Sequence, residues 1–335
     1  MKKHILYSLC CSLCLVVIGS TAFAAEESAG EPEIKISGKV SSIYIHHYNI
    51  TNPDRPDKDG LKTTWYLNAD AKITNNLNAF ARVTYQYQRS QRFADYVSGY
   101  NSVAVDSWGI RNKNKGIEYS LGAQAFSLGA TGVAYDNAWI GKHALPYTAM
   151  VAGKVNTTDL RVFYARTNYQ SGIQDDTFYG IEASYPISNK VNIGGLIVHE
   201  NAQSAGYDTT IYTFNTTYLA DKKWKMTAEY LKSNRPHDNM GYILSFEYKA
   251  DPKNALSLDV WRVEDQAALY DANFGSMTTQ YSNAKGVQFL WRHKINQNLR
   301  FTLLSNWYKK INDDSTTDGI TDHRTTLKTG FHYIF

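Results

Sequence analysis

The side chains able to do chemistry in this 335-residue chain are its 9 histidines, a run of aspartates near the C-terminal end, and ionic residues set inside alternating segments. His46 and His47 are adjacent, whereas His143, His199, His237, His293 and His323 are scattered. A histidine acts as a general base when a nucleophile lies on one side and an orienting group on the other. None of these stands with a serine and an acid in an arrangement that builds such a relay, so they read as interface and solvent residues. No catalytic residue is expected. Asp313, Asp314, Asp318 and Asp322 sit in "NDDSTTDGITD", which lacks the ligand spacing and closing glutamate of a calcium loop and reads as a solvated external connection. No metal-binding and no cofactor-binding residue is expected either.

The ionic residues are more informative because of what separates them. In "WYLNADAKI", Trp65, Leu67, Ala69, Ala71 and Ile73 alternate with Tyr66, Asn68, Asp70 and Lys72. In "NAFARVTYQYQ", Ala79, Ala81, Val83, Tyr85 and Tyr87 alternate with Phe80, Arg82, Thr84, Gln86 and Gln88. Period-two alternation is the mark of a strand with one apolar and one polar face. The polar faces carry charge in mid-strand, at Arg82, Glu182, Glu247 and Arg292, and the apolar faces carry Tyr212, Tyr218, Trp224, Tyr230, Tyr242 and Tyr248 near strand ends. A soluble sandwich would bury its apolar faces in a core. Aromatic residues at strand ends with charges opposite suit a wall that has lipid on one side and water on the other.

The connections alternate as well. Seven tight polar turns recur, "TNNLN", "NKNKG" near Lys113, "NTT" near Thr157, "SNK" near Asn189, "ADKK" near Asp221, "DPKN" near Pro252 and "NQN" near Gln297. Between them lie longer connections such as "TNPDRPDKDG" and "DQAALYDANFGSMTTQYSN". Seven short turns alternating with eight long loops require about sixteen strands with both termini at the tight-turn end. Lys2 and Lys3, an apolar run from Ile5 to Gly19 and Ala22-Phe23-Ala24 form a secretory signal peptide, residues 1–24, cleaved after Ala24. Cys10, Cys11 and Cys14 all lie inside it, which leaves the exported chain without a thiol. Removing the signal takes away two lysines and no acid, lowering a formal charge of +4 toward neutrality, and no basic block suggests a nucleic-acid partner. With only 7 prolines and no flexible linker, residues 25–335 read as a single domain. No apolar run is long enough for a membrane helix. The fold class is therefore all-β: a transmembrane antiparallel up-and-down β-barrel with short periplasmic turns and longer external loops. The last strand must meet the first, so "TLKTGFHYIF" pairs with "EIKISGKVSSIYI" and places Phe331, Tyr333 and Phe335 toward lipid.

In organisation the whole exported chain resembles the porins of Gram-negative outer membranes. The likeness rests on the terminal phenylalanine after "GFHYI", the hairpin "LNADAKITNNLNAFARVTYQY" and the segment "YSLGAQAFSLGATGVAYDN", which is similar to the approach to a porin's third external loop. The resemblance implies a sixteen-stranded homotrimer, general diffusion through the pore, and a third loop folded inward. It also implies that the barrel-assembly machinery reads Phe331, Tyr333 and Phe335. Export through the Sec pathway, an outer-membrane location, and contact with outer-membrane lipid and lipopolysaccharide go with it. The chain has no room for the S-layer-homology domain of some related porins. The third loop, from Gly129 to Tyr147, offers Asp136 as its only acid, with Lys142 and His143 nearby, which departs from the family's acidic eyelet.

The expected function is passive diffusion of small hydrophilic solutes, without cofactor or chemical step. The alternative is a substrate-selective channel for sugars or organic acids, whose aromatic track would have to come from Tyr66, Phe80, Phe126 and Trp261. Alternation assigns Lys39, Asp70, Arg82, Arg166, Glu182, Glu247, Arg292, Arg324 and Lys328 to the pore lining, together with Asp136 from the loop, and the excess of bases predicts a slight anion preference. Residues 132–139 are expected to fold inward and narrow the channel. Ala69, Ala71, Ala79, Ala81, Ala123 and Ala125, outward on strands two, three and five, are expected to form the trimer contact, because small residues let walls approach closely.

Overall fold

Alternating segments joined by tight turns pair with their neighbours, and here they do so all the way round. The structure, a computed structural model, describes residues 33–48, 58–89, 102–137, 144–168, 176–202, 206–269, 283–312 and 323–335. The signal segment and the expected cleavage point after Ala24 lie outside the described residues, as do Trp139, Lys142 and His143. The wall begins with β1 (Glu33–Tyr48), β2 (Lys58–Lys72), β3 (Leu77–Arg89), β4 (Ser102–Asn114) and β5 (Ile117–Ala123). A short hairpin, β6 (Phe126–Leu128) and β7 (Tyr135–Asn137), then leaves the wall. The wall resumes with β8 (Ala144–Val155), β9 (Thr158–Asn168), β10 (Thr177–Pro186), β11 (Val191–Ala202), β12 (Tyr207–Leu219) and β13 (Trp224–Ser233). It ends with β14 (Met240–Lys249), β15 (Asn254–Val263), β16 (Ala284–Lys294), β17 (Leu299–Lys310) and β18 (His323–Ile334). Among the described residues sixteen of these strands form one closed antiparallel barrel, and no helix is long and apolar enough to cross a membrane.

All seven tight turns fall where the polar clusters are, and side chains hold several of them. Asp221 accepts from the Lys223 and Trp224 amides at 2.7 and 2.8 Å, and Asp251 from those of Lys253 and Asn254 at 2.7 and 2.9 Å. Asn296 accepts from Asn298 and Leu299 at 2.9 and 2.8 Å. The Lys223 amide hydrogen bond, followed by that of Trp224, holds the Asp221 carboxyl below the usual carboxylate range.

The outward face is apolar and aromatic: Tyr212, Phe214, Trp224, Tyr230 and Tyr242 are all exposed, and Trp224 stacks on Tyr248 with centroids 4.3 Å apart. The barrel closes by β1 pairing with β18. At the seam Gly38 N–H donates to Phe335 O at 2.9 Å and Phe335 N–H donates to Gly38 O at 3.1 Å. Phe331, Tyr333 and Phe335 are exposed on the outer surface.

The inner face is divided. On β9 to β15 it carries Phe163, Ala165, Phe178, Leu196, Val198, Ile211, Leu231, Ile243, Trp261 and Val263, all buried in one cluster with Phe126, Leu128, Val133 and Tyr135 of the hairpin region. The segment after β15 joins this cluster through Ala267, Ala268 and Leu269, and the Leu269 amide donates to Ala134 O at 3.2 Å. The inner face from β18 through β1 to β5 is instead mainly polar, with Ser41, Thr64, Thr84, Gln86, Ser120 and His332 beside the buried Phe80, and β17 is mixed, with Thr302 and Asn306 beside Leu304 and Tyr308. The hairpin therefore packs against the apolar side of the barrel.

Candidate functional site

The inward hairpin starts where β5 ends. Gln124 is buried, and its amide donates to Ser120 Oγ at 3.0 Å and Thr148 Oγ1 at 2.6 Å, tying the start of the hairpin to the wall. In the hairpin Ser127 pairs with Asp136 and Leu128 with Tyr135. Alternation puts Phe126, Leu128 and Tyr135 toward the apolar bed, where the Tyr135 and Phe178 rings lie 4.7 Å apart and those of Phe126 and Phe163 5.0 Å apart. Ser127 and Asp136 are left on the opposite, polar face.

Two wall carboxylates fasten the tip of the hairpin. Glu182 on β10 accepts from the Gly129 amide at 3.1 Å and is ion-paired with Arg161, whose guanidinium also donates to Ser127 O at 2.7 Å. Glu229 on β13, only 2% exposed, accepts from the Ala130 and Thr131 amides at 3.2 and 2.8 Å and from Thr131 Oγ1 at 2.7 Å. The approach depends on glycine. Gly129 has φ +83°, and a Cβ there would lie 2.2 Å from Glu229 Oε1.

Lys39, Asp70, Arg82, Glu182, Glu247, Arg292 and Lys328 share the inward parity of their strands, as the register of β1 through β3 and of β14 through β18 requires. Several are neutralised there. Arg82 donates twice to Asp106, at 2.7 and 3.0 Å, and Lys225 meets Glu247 at 2.7 Å. Arg292 lines a polar recess of about 180 Å³ with Thr131, Lys225, Glu247 and Asp259. The backbone of Arg324 lies opposite Tyr308 on β17, while its side chain lies outside the described residues.

Three sequence expectations need correction. Arg166 does not line the pore: it shares the parity of the exposed Val162 and Tyr164, opposite to the buried Phe163 and Ala165. Ala69, Ala71, Ala79 and Ala81 do form two cross-strand pairs on the outer face, but Ala123 is buried between Trp108 and Tyr147, whose rings are 5.9 Å apart. Ala125 lies past the end of β5 in the link to the hairpin. Of the aromatic residues that the selective alternative would need, Phe80, Phe126 and Trp261 are buried, Phe80 with the Arg111 guanidinium 4.1 Å over its ring.

Asp106 and Glu229 are the functional residues that sequence reasoning missed. Asp106 is the extra residue of a β-bulge opposite Arg82, where the register shifts between Arg82 and Val83. The signal was present: outward residues run Val103, Val105 and then Trp108, Ile110, a change of phase inside "SVAVDSWGI". Glu229 carries no comparable local signal. His332 was also overlooked; its Nδ1 lies 2.9 Å from Ser41 Oγ and its Nε2 2.8 Å from Thr302 Oγ1. Its second partner is a hydroxyl and not a carboxylate, so the set does not form a hydrolytic relay. No cluster of three or more metal-ligating side chains occurs among the described residues.

Burial raises the Asp136 carboxyl above its usual range. The ionised form is thus disfavoured in the folded chain, so the stability the protonated form contributes is present at low pH and lost as pH rises through the raised value. As pH falls, Asp136 loses its charge before an ordinary carboxylate would. Reversal potentials in a salt gradient should move toward anions on acidification from pH 7, and Asp136→Asn should remove the first part of that shift; an unchanged titration in the variant contradicts the assignment.

No known protein family matches the chain, and no curated protein matches it. Solved structures do. A triple mutant of the Rhodopseudomonas blastica porin aligns over 90% of this chain and 100% of its own, with TM-score 0.58 at 9% identity. Another mutant of that porin gives 0.58 at 10% identity with the same coverage, and a structure described as "Asymmetric conductivity of engineered proteins" gives 0.58 at 9%. At such identities the likeness is one of fold, a closed antiparallel barrel of sixteen strands.

Proposed function

We propose that the chain is an outer-membrane porin, a water-filled channel through which small hydrophilic solutes diffuse passively, with no chemical step. The observation that carries this reading is the divided interior of a closed sixteen-stranded barrel: a hairpin is anchored on apolar side chains along one arc, and the opposite arc is lined mainly with polar ones. Sixteen strands enclose more space than side chains fill, unlike eight. The buried positions of Phe80, Phe126 and Trp261 disfavour the sugar-selective alternative.

The finer assignments belong to the same proposal. A signal of residues 1–24 directs export through the Sec pathway, and the barrel-assembly machinery reads Phe331, Tyr333 and Phe335. The outer face then meets lipid and lipopolysaccharide, with its apolar surface flanked by aromatic residues. A homotrimer forms through β2 and β3, where Ala69 faces Ala81 and Ala71 faces Ala79. In mild detergent the native mass should be that of three chains, and Ala81→Trp should yield folded single barrels; a native monomer rejects this contact.

Reconstitution in planar bilayers tests the function itself. Stepwise ohmic conductance that no particular sugar blocks is the expected result. Saturable block by one sugar restores the alternative, and absence of conductance rejects both.

A further inference from the structure

This chain generally places opposite charges together, as in Arg82 with Asp106, Arg161 with Glu182, Lys225 with Glu247 and Lys154 with Asp159. One stretch of the lumen wall beside the tight-turn rim breaks that habit. Lys294 on β16 and Arg300 on β17 are direct cross-strand partners, both exposed to the lumen. Arg300 in turn faces His332 on β18, and His332 faces Ser41 on β1. Lys39 lies two residues before Ser41 on the same face, and the charges of both Lys39 and Arg300 act on His332. Among the described residues no carboxylate is ion-paired with Lys39, Lys294 or Arg300. Of the acids nearest in sequence and register, Asp70 lies opposite Lys35, and the Asp251 carboxylate is taken up by its own turn.

Like charges directly opposite one another destabilise a sheet. A row that retains them without an acid, open to water on one side, is relieved when an anion binds between them. We propose that Lys39, Arg300 and Lys294 form a binding site for multivalent oxyanions of the phosphate class on the lumen wall at the tight-turn mouth. The buried His332 spaces the bases, since both of its ring nitrogens are taken by Ser41 and Thr302. The Arg300 fork suits two oxygens of one phosphate group, and the two ammoniums supply charge from either side. Exposure keeps binding weak and rapidly exchanging, the condition for a site along a conduction path. The site rests on the channel reading only for its place on a solute's route.

The test uses the full barrel in zwitterionic detergent with inorganic phosphate as probe, at about 0.01 M ionic strength, where the screening length is about 30 Å. Phosphate ³¹P line broadening should saturate, and the double variant Lys294→Gln, Arg300→Gln should weaken it about tenfold or more, while Lys190→Gln on a distant turn leaves it unchanged. Phosphate should also raise the melting temperature of the native barrel, with a smaller rise in Lys294→Gln, a change that removes repulsion and leaves the fold intact. Broadening that fails to saturate, or that is equal in the double variant and the Lys190→Gln control, overturns the site. Retained phosphate binding by a barrel that conducts nothing leaves the site standing and overturns the channel reading.

Discussion

Replacing Glu229 by alanine should turn a steady single-channel current into a flickering one, without the large step in mean conductance expected if the whole hairpin left the lumen. The contacts decide between these outcomes. Glu229 supplies three hydrogen bonds to Ala130 and Thr131, each worth about 1.5–3 kcal/mol because the acceptor is charged. Phe126, Leu128, Val133 and Tyr135 remain buried in the apolar bed, at about 1.5–3 kcal/mol for each side chain. The hairpin stays seated and Gly129 stays tied to Glu182, while residues 130–132 are released. Gly129→Ala should give the same noise from the other partner, since its Cβ would stand where the Glu229 oxygen is. Thr131→Val, which removes only the hydroxyl bond, should be milder. Current noise and protease cleavage at the tip are the readouts, and a quiet, resistant Glu229→Ala barrel would show that the carboxylate does not hold the tip.

The second large effect is expected at the seam. A Cβ on Gly38 would lie 2.4 Å from the Phe335 ring and 2.8 Å from the Tyr66 carbonyl oxygen, so Gly38→Val should prevent β1 and β18 from closing around the terminal residue. Phe335→Ala should do less harm to purified protein refolded in detergent, because the ring is already 51% exposed and its removal leaves both backbone bonds to Gly38 in place. In cells the order should reverse if the assembly machinery reads the ring. Gly153→Ala, whose nearest contact would be 3.3 Å, serves as the control. Folded yield can be followed by the mobility difference between heated and unheated samples. Equal yields for Gly38→Val and Gly153→Ala would remove Gly38 from the closure.

Much of this was legible from spacing. "LNADAKITNNLNAFARV" announces a hairpin because its two faces differ sharply in polarity, and every tight turn is marked by Asn, Asp, Ser, Gly or Lys clusters. Arg166 was misplaced for the converse reason. In "RVFYAR" both faces are apolar, since Val162 and Tyr164 face outward while Phe163 packs under the hairpin, and alternation then carries no phase. The same ambiguity hid the apolar bed, of which "LIV" at 196–198 is another part. Glu229 was invisible because its role comes from a chain segment about a hundred residues away. Asp106 was concealed by a bulge, where one added residue reverses the parity of everything after it.

The apolar bed has a mechanical consequence. Close-packed interiors resist compression, whereas a column of water backing a single layer of strands offers no shape of its own. The arc from β9 to β15 is backed by the hairpin and by residues 267–269, like a hull stiffened along one side by a keel. Among the described residues no side chain of β18 or of β1 to β4 joins that cluster, and pairs such as Arg82 with Asp106 and His332 with Ser41 tie that arc only to itself. On the proposed reading, lateral pressure from a bilayer would act on a cylinder with one stiffer flank and one more compliant flank, and changes in cross-section would fall on the polar flank.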